Sequence, residues 1–527
     1  MVTTVRESTF ELLRALGLTT VFGNPGSTEL PFLKDFPDDF RYVLGLQEAA
    51  VVAMADGYAQ ATGRAALVNL HTAIGVGNAM GNVGTAYHNK SPLVLTAGQQ
   101  VRAMLPLEPF LFARSATELP KPYVKWSYTP ARPQEVPAAL SRAYHLAMQR
   151  PRGPVFVSIP MDDWDAPGED YIPREVSHRT APDPCALQRV ADRLAQSERP
   201  ALVVGADVDR HGAWEPTVAL AERLHAAVWV APNAERLGFP TDHRLFQGYL
   251  PSAHGPLADR LAAYDVIVVL GAPIFSYFAY VPGPVVHPGS ELIQLTDDPD
   301  EAARAPRATS IVGDLALAVQ QLGALVAPAQ REAPPRRPRP APPAAGAPMS
   351  AAYVMHTLAQ ALPDDVVLVE ESPSTRTAMQ QYLDVRYSDS FYVAANGGLG
   401  FAMPAAVGIQ LARPDRRIVC LVGDGSSLYS VQALWTAAQQ DAPVVFVVLH
   451  NGQYAILKSF GAFAGAGAVP GLDLPGLDLV SIARGFGCAA ERVEQPEALA
   501  PALDRALAAG RPVVLDVVVD PNVPRLL

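Results

Sequence analysis

Short unbroken runs of aliphatic and β-branched residues recur along the chain, separated by segments of helical periodicity. In residues 1–180 the runs are Thr20–Phe22, Ala66–Leu70, Leu93–Ala97 and Val155–Ile159. In residues 181–330 they are Ala201–Val204, Ala227–Val230, Val266–Leu270 and Leu292–Leu295. In residues 350–527 they are Val366–Val369, Ile418–Val422, Val444–Leu449 and Val513–Val519. Runs of this length without polar alternation mark strands covered on both faces. Strands alternating with helices require right-handed crossovers and parallel sheets. The pattern predicts an α/β protein of three doubly wound parallel-sheet domains, over 1–180, 181–330 and 350–527. A proline-rich linker, 331–349, lies in and just beyond the run APAQREAPPRRPRPAPPAAGAP at 327–348. Proline at that density blocks helix and sheet and favours an extended spacer. A weaker boundary falls at Arg174–Pro184. The first and third blocks match in length and layout, although no short repeat is visible.

Composition narrows the function classes. With 49% hydrophobic and 18% charged residues, the 527-residue chain can bury several cores. A net charge of -11 speaks against a nucleic-acid surface, and Arg336–Arg337 sit among prolines. No stretch of about eighteen apolar residues suggests a membrane span. The segment Met1–Leu18 carries Arg6, Glu7, Glu11 and Arg14, and its apolar residues Phe10, Leu12, Leu13 and Leu16 keep helical spacing rather than forming a signal core. The three cysteines, Cys185, Cys420 and Cys488, form no metal or disulfide pattern. A cytoplasmic protein is expected.

Candidate chemistry gathers where strands end, which is where open parallel sheets bind ligands. The run Ile418–Val422 is followed by Gly423-Asp424-Gly425-Ser426-Ser427, and the next strand ends in His450-Asn451. A crossover helix over Leu428–Gln440 would set the two strand ends side by side. Asp424 and Asn451 can then give two oxygens to one cation, a donor set suited to Mg²⁺ shared with phosphate. Gly423 and Gly425 let the backbone approach the phosphates, Ser426 lies in the same turn, and the helix start after Ser427 offers free N–H groups. Elsewhere, Gln47-Glu48-Ala49-Ala50 opens a helix through Met54 and Tyr58; by itself Glu48 only complements the helix dipole.

Longer stretches carry a resemblance. Val21–Tyr42 (VFGNPGSTELPFLKDFPDDFRY), Leu46–Glu48, Asn69–His71, Thr96–Gln100, Val124–Ser127, Gly271–Pro273, Glu301–Pro306, Gly397–Ala402, Leu434–Gln439 and Val469–Asp473 are similar to the benzoylformate decarboxylases, within the thiamine-diphosphate-dependent 2-oxo acid decarboxylase and acetolactate synthase-like family. The similarity spans nearly the whole chain outside the linker. It implies pyrimidine-binding, middle and diphosphate-binding domains, with thiamine diphosphate and Mg²⁺ as cofactors. It implies a homotetramer whose active sites lie at dimer interfaces, Glu48 coming from one subunit and Asp424 from the other.

The resemblance also assigns roles. Glu48 shares a proton with N1′ of the aminopyrimidine. Ser27, in Asn24-Pro25-Gly26-Ser27, holds the substrate carboxylate. His71 handles protons, a task suited to histidine near neutral pH. Leu399 props the cofactor in its bent form, the Gly397 carbonyl holds its amino group, and Ser374, Thr375 and Tyr454 line its site. Gln453 offers a backbone carbonyl to the metal, so its side chain should matter little. Three positions depart from the family: Phe278 replaces a second catalytic histidine, Ile456 an alanine, and Pro373 a threonine. Phenylalanine cannot transfer a proton, which leaves that step to His71, water or the cofactor's amino group. Phe278, Ile456, Leu457 and Phe460 suggest a tight apolar pocket. The expected activity is nonoxidative decarboxylation of an apolar, aromatic 2-oxo acid such as benzoylformate to the aldehyde and CO2. A carboligase or acetolactate synthase-like lyase on the same fold is the alternative. A non-catalytic homologue is a third reading, against which the retained Glu48, Asp424 and Asn451 argue.

Overall fold

The computed structural model describes residues 3–525; Met1 and Val2, at the head of the N-terminal periodic segment, lie outside them. Three all-parallel sheets follow one another along the chain. The first contains β1 (Thr20–Gly23), β2 (Arg41–Leu44), β3 (Ala66–Leu70), β4 (Leu93–Gln99), β5 (Ser127–Tyr128) and β6 (Val155–Pro160). The second contains β7 (Pro200–Val204), β8 (Ala227–Val230), β9 (Phe246–Tyr249), β10 (Val266–Leu270), β11 (Glu291–Thr296) and β12 (Ala308–Val312). The third contains β13 (Val367–Glu371), β14 (Phe391–Val393), β15 (Ile418–Gly423), β16 (Val445–His450), β17 (Ala489–Val493) and β18 (Val513–Val518).

The spatial order of the first sheet is β2-β1-β3-β4-β6-β5, and that of the third is β14-β13-β15-β16-β18-β17. The two domains thus share one topology, although their sequences show no repeat. The order turns back between β1 and β3, and equivalently between β13 and β15. Those crevices are the switch points where doubly wound sheets take ligands. The middle sheet, β12-β11-β10-β7-β8-β9, instead has the dinucleotide-fold order.

The apolar pattern finds the four central strands of each sheet and misses β2, β5, β9, β12, β14 and β17. These six are the sheet edges. Most edge strands are short or half-exposed and lack an unbroken apolar run, as in β2, β5 and β12. One crossover also differs from expectation. The segment after β15 is a single helical turn, Asp424–Ser427, and the helix resumes only at Ala433–Gln439. The Ser427 hydroxyl donates to the Asp424 carbonyl at 2.6 Å, a local bond that competes with helix propagation.

The first and third domains share a continuous core. The helix Glu48–Thr62 is buried on nearly every side and packs against the helix Ala402–Ala412. The contact is so close that a Cβ on Gly57 would sit 2.4 Å from the Ala405 carbonyl, and one on Gly408 1.9 Å from that of Met54. Either glycine replaced by alanine would push the domains apart.

The linker is extended, as its prolines require, but it is no free spacer. Arg331 donates to the Leu224 carbonyl at 2.9 Å, and its own carbonyl meets His225 Nδ1 at 2.6 Å. Gln247 donates to the Pro335 carbonyl at 3.1 Å, Arg336 to that of Asp242 at 3.0 Å, and Arg339 pairs with Asp384 at 2.8 Å.

At the end of β13, the Glu371 carboxylate accepts the backbone N–H groups of Gly400, Phe401 and Ala402, each at 2.8 Å. It thereby fixes the loop Gly397–Gly400 and caps the helix that follows. Burial nevertheless pushes its pKa up, to about 7. An acid that binds its proton more tightly when folded removes stability as pH rises between its unfolded and folded values. Relative to Glu371→Gln, the wild type should therefore lose roughly 2 to 3 kcal/mol between pH 5 and 7.5. Urea unfolding of both proteins at the two pH values measures this, and a pH-independent difference would refute it.

Candidate active site

At the switch point of the first sheet, β1 runs into the turn Asn24–Glu29 and β3 ends at His71. Glu29 is 1% exposed and sits beneath both. Its Oε2 accepts the Gly26 N–H at 2.9 Å and His71 Nδ1 at 2.8 Å. Its Oε1 accepts the Gly98 N–H at 2.9 Å and the Thr28 hydroxyl at 2.7 Å. One carboxylate thus ties together the ends of β1, β3 and β4. Two glycines make room for it: a Cβ on Gly98 would lie 2.3 Å from Glu29 Oε1, and one on Gly26 2.1 Å from His71 Nδ1. With Nδ1–H donated to Glu29, His71 keeps Nε2 for other partners. Pro25 and Ser27 are exposed on the turn that this network holds.

Glu48 begins the helix Glu48–Thr62 and is 8% exposed. Gln47 caps that helix by accepting the Ala50 N–H at 3.1 Å. The Glu48 carboxylate receives Asn78 Nδ2 at 3.1 Å and, more weakly, Asn24 Nδ2 at 3.5 Å. No cation pairs with it among the described residues, so it is held by neutral donors.

In the third domain, β15 pairs with β16 in a register that sets Gly423 opposite Leu449. Asp424 and Asn451 therefore emerge side by side. Asp424 is 2% exposed; its Oδ1 accepts the Gly425 N–H at 2.8 Å, and its Oδ2 those of Asn451 at 3.1 Å and Gly452 at 2.6 Å. Burial raises its pKa against these donors. Asn451 Oδ1 accepts the Gln453 N–H at 3.1 Å. The Gln453 side chain is occupied too, bonding Lys458 and the Pro521 carbonyl, so it anchors the C-terminal segment as well as the turn. His450 bridges towards the strand β18, with Nδ1 2.8 Å from Asp516 Oδ1 and Nε2 4.0 Å from Asp424 Oδ2, and the Asp516 contact above all raises its pKa.

Around this pair, the Tyr454 ring leaves no side-chain space at Gly425, where a Cβ would be 2.5 Å from it. Gly423 leaves an open approach, its nearest neighbours being Ser426 Oγ at 3.6 Å and Ser372 Oγ at 3.9 Å from a built Cβ. Thr375 donates to Ser372 Oγ at 2.8 Å, and Ser374 lies in the same turn at the end of β13. Gly397 has φ +68 with open space around it, and Leu399 is half-buried beside it.

The apolar pocket residues are only partly gathered. Phe278, on a middle-domain loop, meets Phe460 edge-on at 4.6 Å. Ile456 is half-buried in the first turn of the same helix, Ala455–Phe463. Phe278 and Leu457 are 68% and 47% exposed. Among the described residues, no hydrogen bond or ion pair joins Glu48, Ser27 or His71 to Asp424, Asn451 or Tyr454. Asn82 does bridge the two domains, donating to the carbonyls of Ala49 at 2.9 Å and Gly400 at 3.2 Å.

Another carboxylate and histidine group, Asp207, His211 and Asp297, lies in the middle domain. The Lys90 ammonium stands 2.9 Å from Asp207, 3.1 Å from Glu301 and 3.5 Å from Asp298, and Arg210 pairs with Asp207. This is an ion-pair knot between two domains, with its cations already in place.

Comparison with known proteins agrees with this architecture. The family models for the thiamine pyrophosphate enzyme N-terminal TPP-binding, central and C-terminal TPP-binding domains match residues 3–117, 187–322 and 374–517. The chain is 49% identical over 519 residues to a benzoylformate decarboxylase of Pseudomonas aeruginosa, covering 98% of both sequences. The benzoylformate decarboxylase structure from Polynucleobacter necessarius superposes with a TM-score of 0.98 at 45% identity, covering 99% of each chain. A thiamine diphosphate-dependent 4-hydroxybenzoylformate decarboxylase of Rhodococcus jostii RHA1 gives 0.96 at 44% identity, covering 99% of this chain and 100% of that one. With all three domains matched in order, and carboxylate-centred crevices at the switch points of the two outer sheets, the chain belongs to the thiamine-diphosphate-dependent enzyme family.

Proposed function

We propose that the protein is a thiamine-diphosphate- and Mg²⁺-dependent carboxy-lyase that converts an aromatic 2-oxo acid, such as benzoylformate, to the aldehyde and CO2. The observation that carries this reading is the pair of crevices: a His71–Glu29 dyad beside Glu48 in one domain, and Asp424 next to Asn451 in the other. The relatives' names, benzoylformate and 4-hydroxybenzoylformate decarboxylase, support the substrate class.

The residues present fit the cofactor. A buried carboxylate, an amide oxygen and the Gln453 carbonyl form an all-oxygen donor set of the kind Mg²⁺ takes together with phosphate. The open approach at Gly423, the Ser426 turn and the Ser374–Thr375 turn suit the diphosphate. Leu399 and the Gly397 carbonyl suit the pyrimidine end. When bound, thiamine diphosphate supplies the nucleophile and the electron sink that loss of CO2 requires.

The chain's own residues divide the remaining work. Glu48, held by neutral amides, holds a proton at N1′. Ser27, exposed on a turn pinned by Glu29, donates to the substrate carboxylate. His71 offers Nε2 to hold or move a proton near the keto oxygen, because Glu29 occupies Nδ1. Phe278 and Phe460 keep water from the aryl group, and Ile456 narrows the space beside it. With no titratable group at Phe278, protonation before aldehyde release falls to His71 or water, which favours carboligation as a side reaction. That no hydrogen bond or ion pair joins Glu48 to Asp424 among the described residues supports a site completed by a second subunit, and hence a dimer or a tetramer built as a dimer of dimers.

Three outcomes test this. Chelation and cofactor removal should abolish decarboxylation, and thiamine diphosphate with Mg²⁺ should restore it; Glu48→Ala should still bind the cofactor in calorimetry while losing C2 proton exchange by NMR. Full exchange in that variant would remove Glu48 from its role. Glu29→Gln should lower kcat roughly tenfold or more while changing KM little, with a changed His71 tautomer in ¹⁵N NMR; unchanged kcat would make Glu29 purely structural. Ile456→Ala should move kcat/KM towards bulky aromatic acids over slim aliphatic ones by roughly 10–200-fold. An unchanged ratio would place residue 456 outside the pocket.

A further inference from the structure

The helix Ala455–Phe463 carries three of the four apolar residues assigned to the substrate pocket, Ile456, Leu457 and Phe460. Core packing does little to hold it. Of its nine residues only Ala455 and Ser459 are buried. These two stand one turn apart, on a stripe next to that of Ile456 and Phe460, because residues four apart share a helix face. Among the described residues, neither Ile456, Leu457 nor Phe460 belongs to the hydrophobic clusters that fill the three domains. The tilt of the helix is therefore left to polar contacts.

Those contacts come from the segment Val519–Arg525, which follows β18. Its start is fixed: the Val519 N–H donates to the His450 carbonyl at 3.0 Å, and the Asp520 N–H to that of Met349 at 2.8 Å. The Asp520 carboxylate then accepts the Asn522 N–H at 2.8 Å and Asn522 Nδ2 at 2.6 Å, which turns the chain. Pro521 and Pro524 lock their own φ and bias Asp520 and Val523 towards extended backbone. The segment is thus stiff although it contains neither helix nor strand.

It meets the pocket helix at two points. The Pro521 carbonyl accepts the side-chain amide of Gln453, just before the helix. The Pro524 carbonyl accepts the Ser459 hydroxyl at 2.6 Å, in the middle of the helix. That hydroxyl has one proton to give, and the Ala455 carbonyl, at 3.2 Å, is the poorer acceptor. Ser459 is 3% exposed, so water does not compete for the bond. Lys458 also ties the helix to Asp473, but through an ion pair open to solvent, a weak kind of restraint.

We propose that Ser459 is a positioning residue for the substrate: bonded to the Pro524 carbonyl, it lashes the segment Asp520–Pro524 to the helix and thereby sets how closely Ile456 and Phe460 approach the side group of the 2-oxo acid. This rests on the decarboxylase reading above and adds what shapes its pocket. Among the described residues, no hydrogen bond links Ser459 or Pro524 to Glu48, His71 or Asp424. The tie therefore acts on the fit of the substrate and leaves activation of the cofactor alone.

Steady-state kinetics of the holoenzyme with benzoylformate test this, beside C2 proton exchange of the bound cofactor, which needs no substrate. Ser459→Ala and a chain ending at Val523 should each raise KM about three- to tenfold, the span that the net worth of one hydrogen bond allows. In both, kcat should stay within about twofold and C2 exchange should not change. Because the two variants break the same bond, combining them should do no more than the worse of the two. Unchanged KM in both single variants, or effects that multiply in the combined one, would overturn the inference. So would a fall in kcat and exchange alongside the rise in KM, which would mark a general loosening of the fold. A wild type that turns over no 2-oxo acid would overturn the decarboxylase reading itself, and the inference with it.

Discussion

Where neighbouring parallel strands end at different heights, the next backbone N–H groups lose their ladder partners, and here buried carboxylates take them up. Glu29 receives Gly98 just past the end of β3, together with Gly26. Asp424 receives Asn451 and Gly452 just past β16. Glu371 receives Gly400, Phe401 and Ala402, the first N–H groups of a buried helix. A buried charge is costly when isolated, and several charge-assisted hydrogen bonds offset that cost. Every loop that carries a proposed catalytic or metal-binding residue is fixed by one of these groups or lies next to it. The same strand-end geometry that creates the ligand crevices thus also makes their rims rigid.

The outer domains extend this arrangement. They have one strand order and one merged core, closed by the backbone contacts at Gly57 and Gly408. The helix that begins with Glu48 is the same helix that packs on Ala402–Ala412, whose N-terminus Glu371 caps. Displacing either helix would therefore disturb the first-domain acid and the third-domain loop together. Preorganisation of this kind lets a site act without rearranging its donors.

Legibility in the sequence followed burial. The twelve central strands announce themselves because both faces are covered, whereas most of the six edges do not, because they are half-exposed with mixed residues or, like buried β14, only three residues long. Asp424 and Asn451 could be placed beside each other because a crossover forces adjacent strand ends together. Ser27, His71 and Glu48 needed family resemblance, since a turn serine, a strand-end histidine and a first-turn glutamate have ordinary structural uses. Glu29 and Asn78 escaped notice because nothing in their spacing says that they point inward. Glu29 stands within the segment that carried the resemblance, and the flanking Gly26 was its only local signal. The break after Ser427 and the side-chain bonds of Gln453 depend on contacts that no periodicity encodes.

The strapped linker has a mechanical consequence. A 22-residue segment without regular structure would ordinarily be slack, letting the domains on either side loosen one at a time. Here hydrogen bonds from Arg331, Gln247 and Arg336 and the Arg339–Asp384 ion pair fasten it at intervals to the middle domain and then to the third. Two of its arginines, Arg337 and Arg339, are followed by proline, so the peptide bonds there resist trypsin as well. The connector therefore behaves as a taut cable rather than a hinge: pulling on the middle domain loads the third domain directly, and the chain resists being divided at its longest irregular stretch.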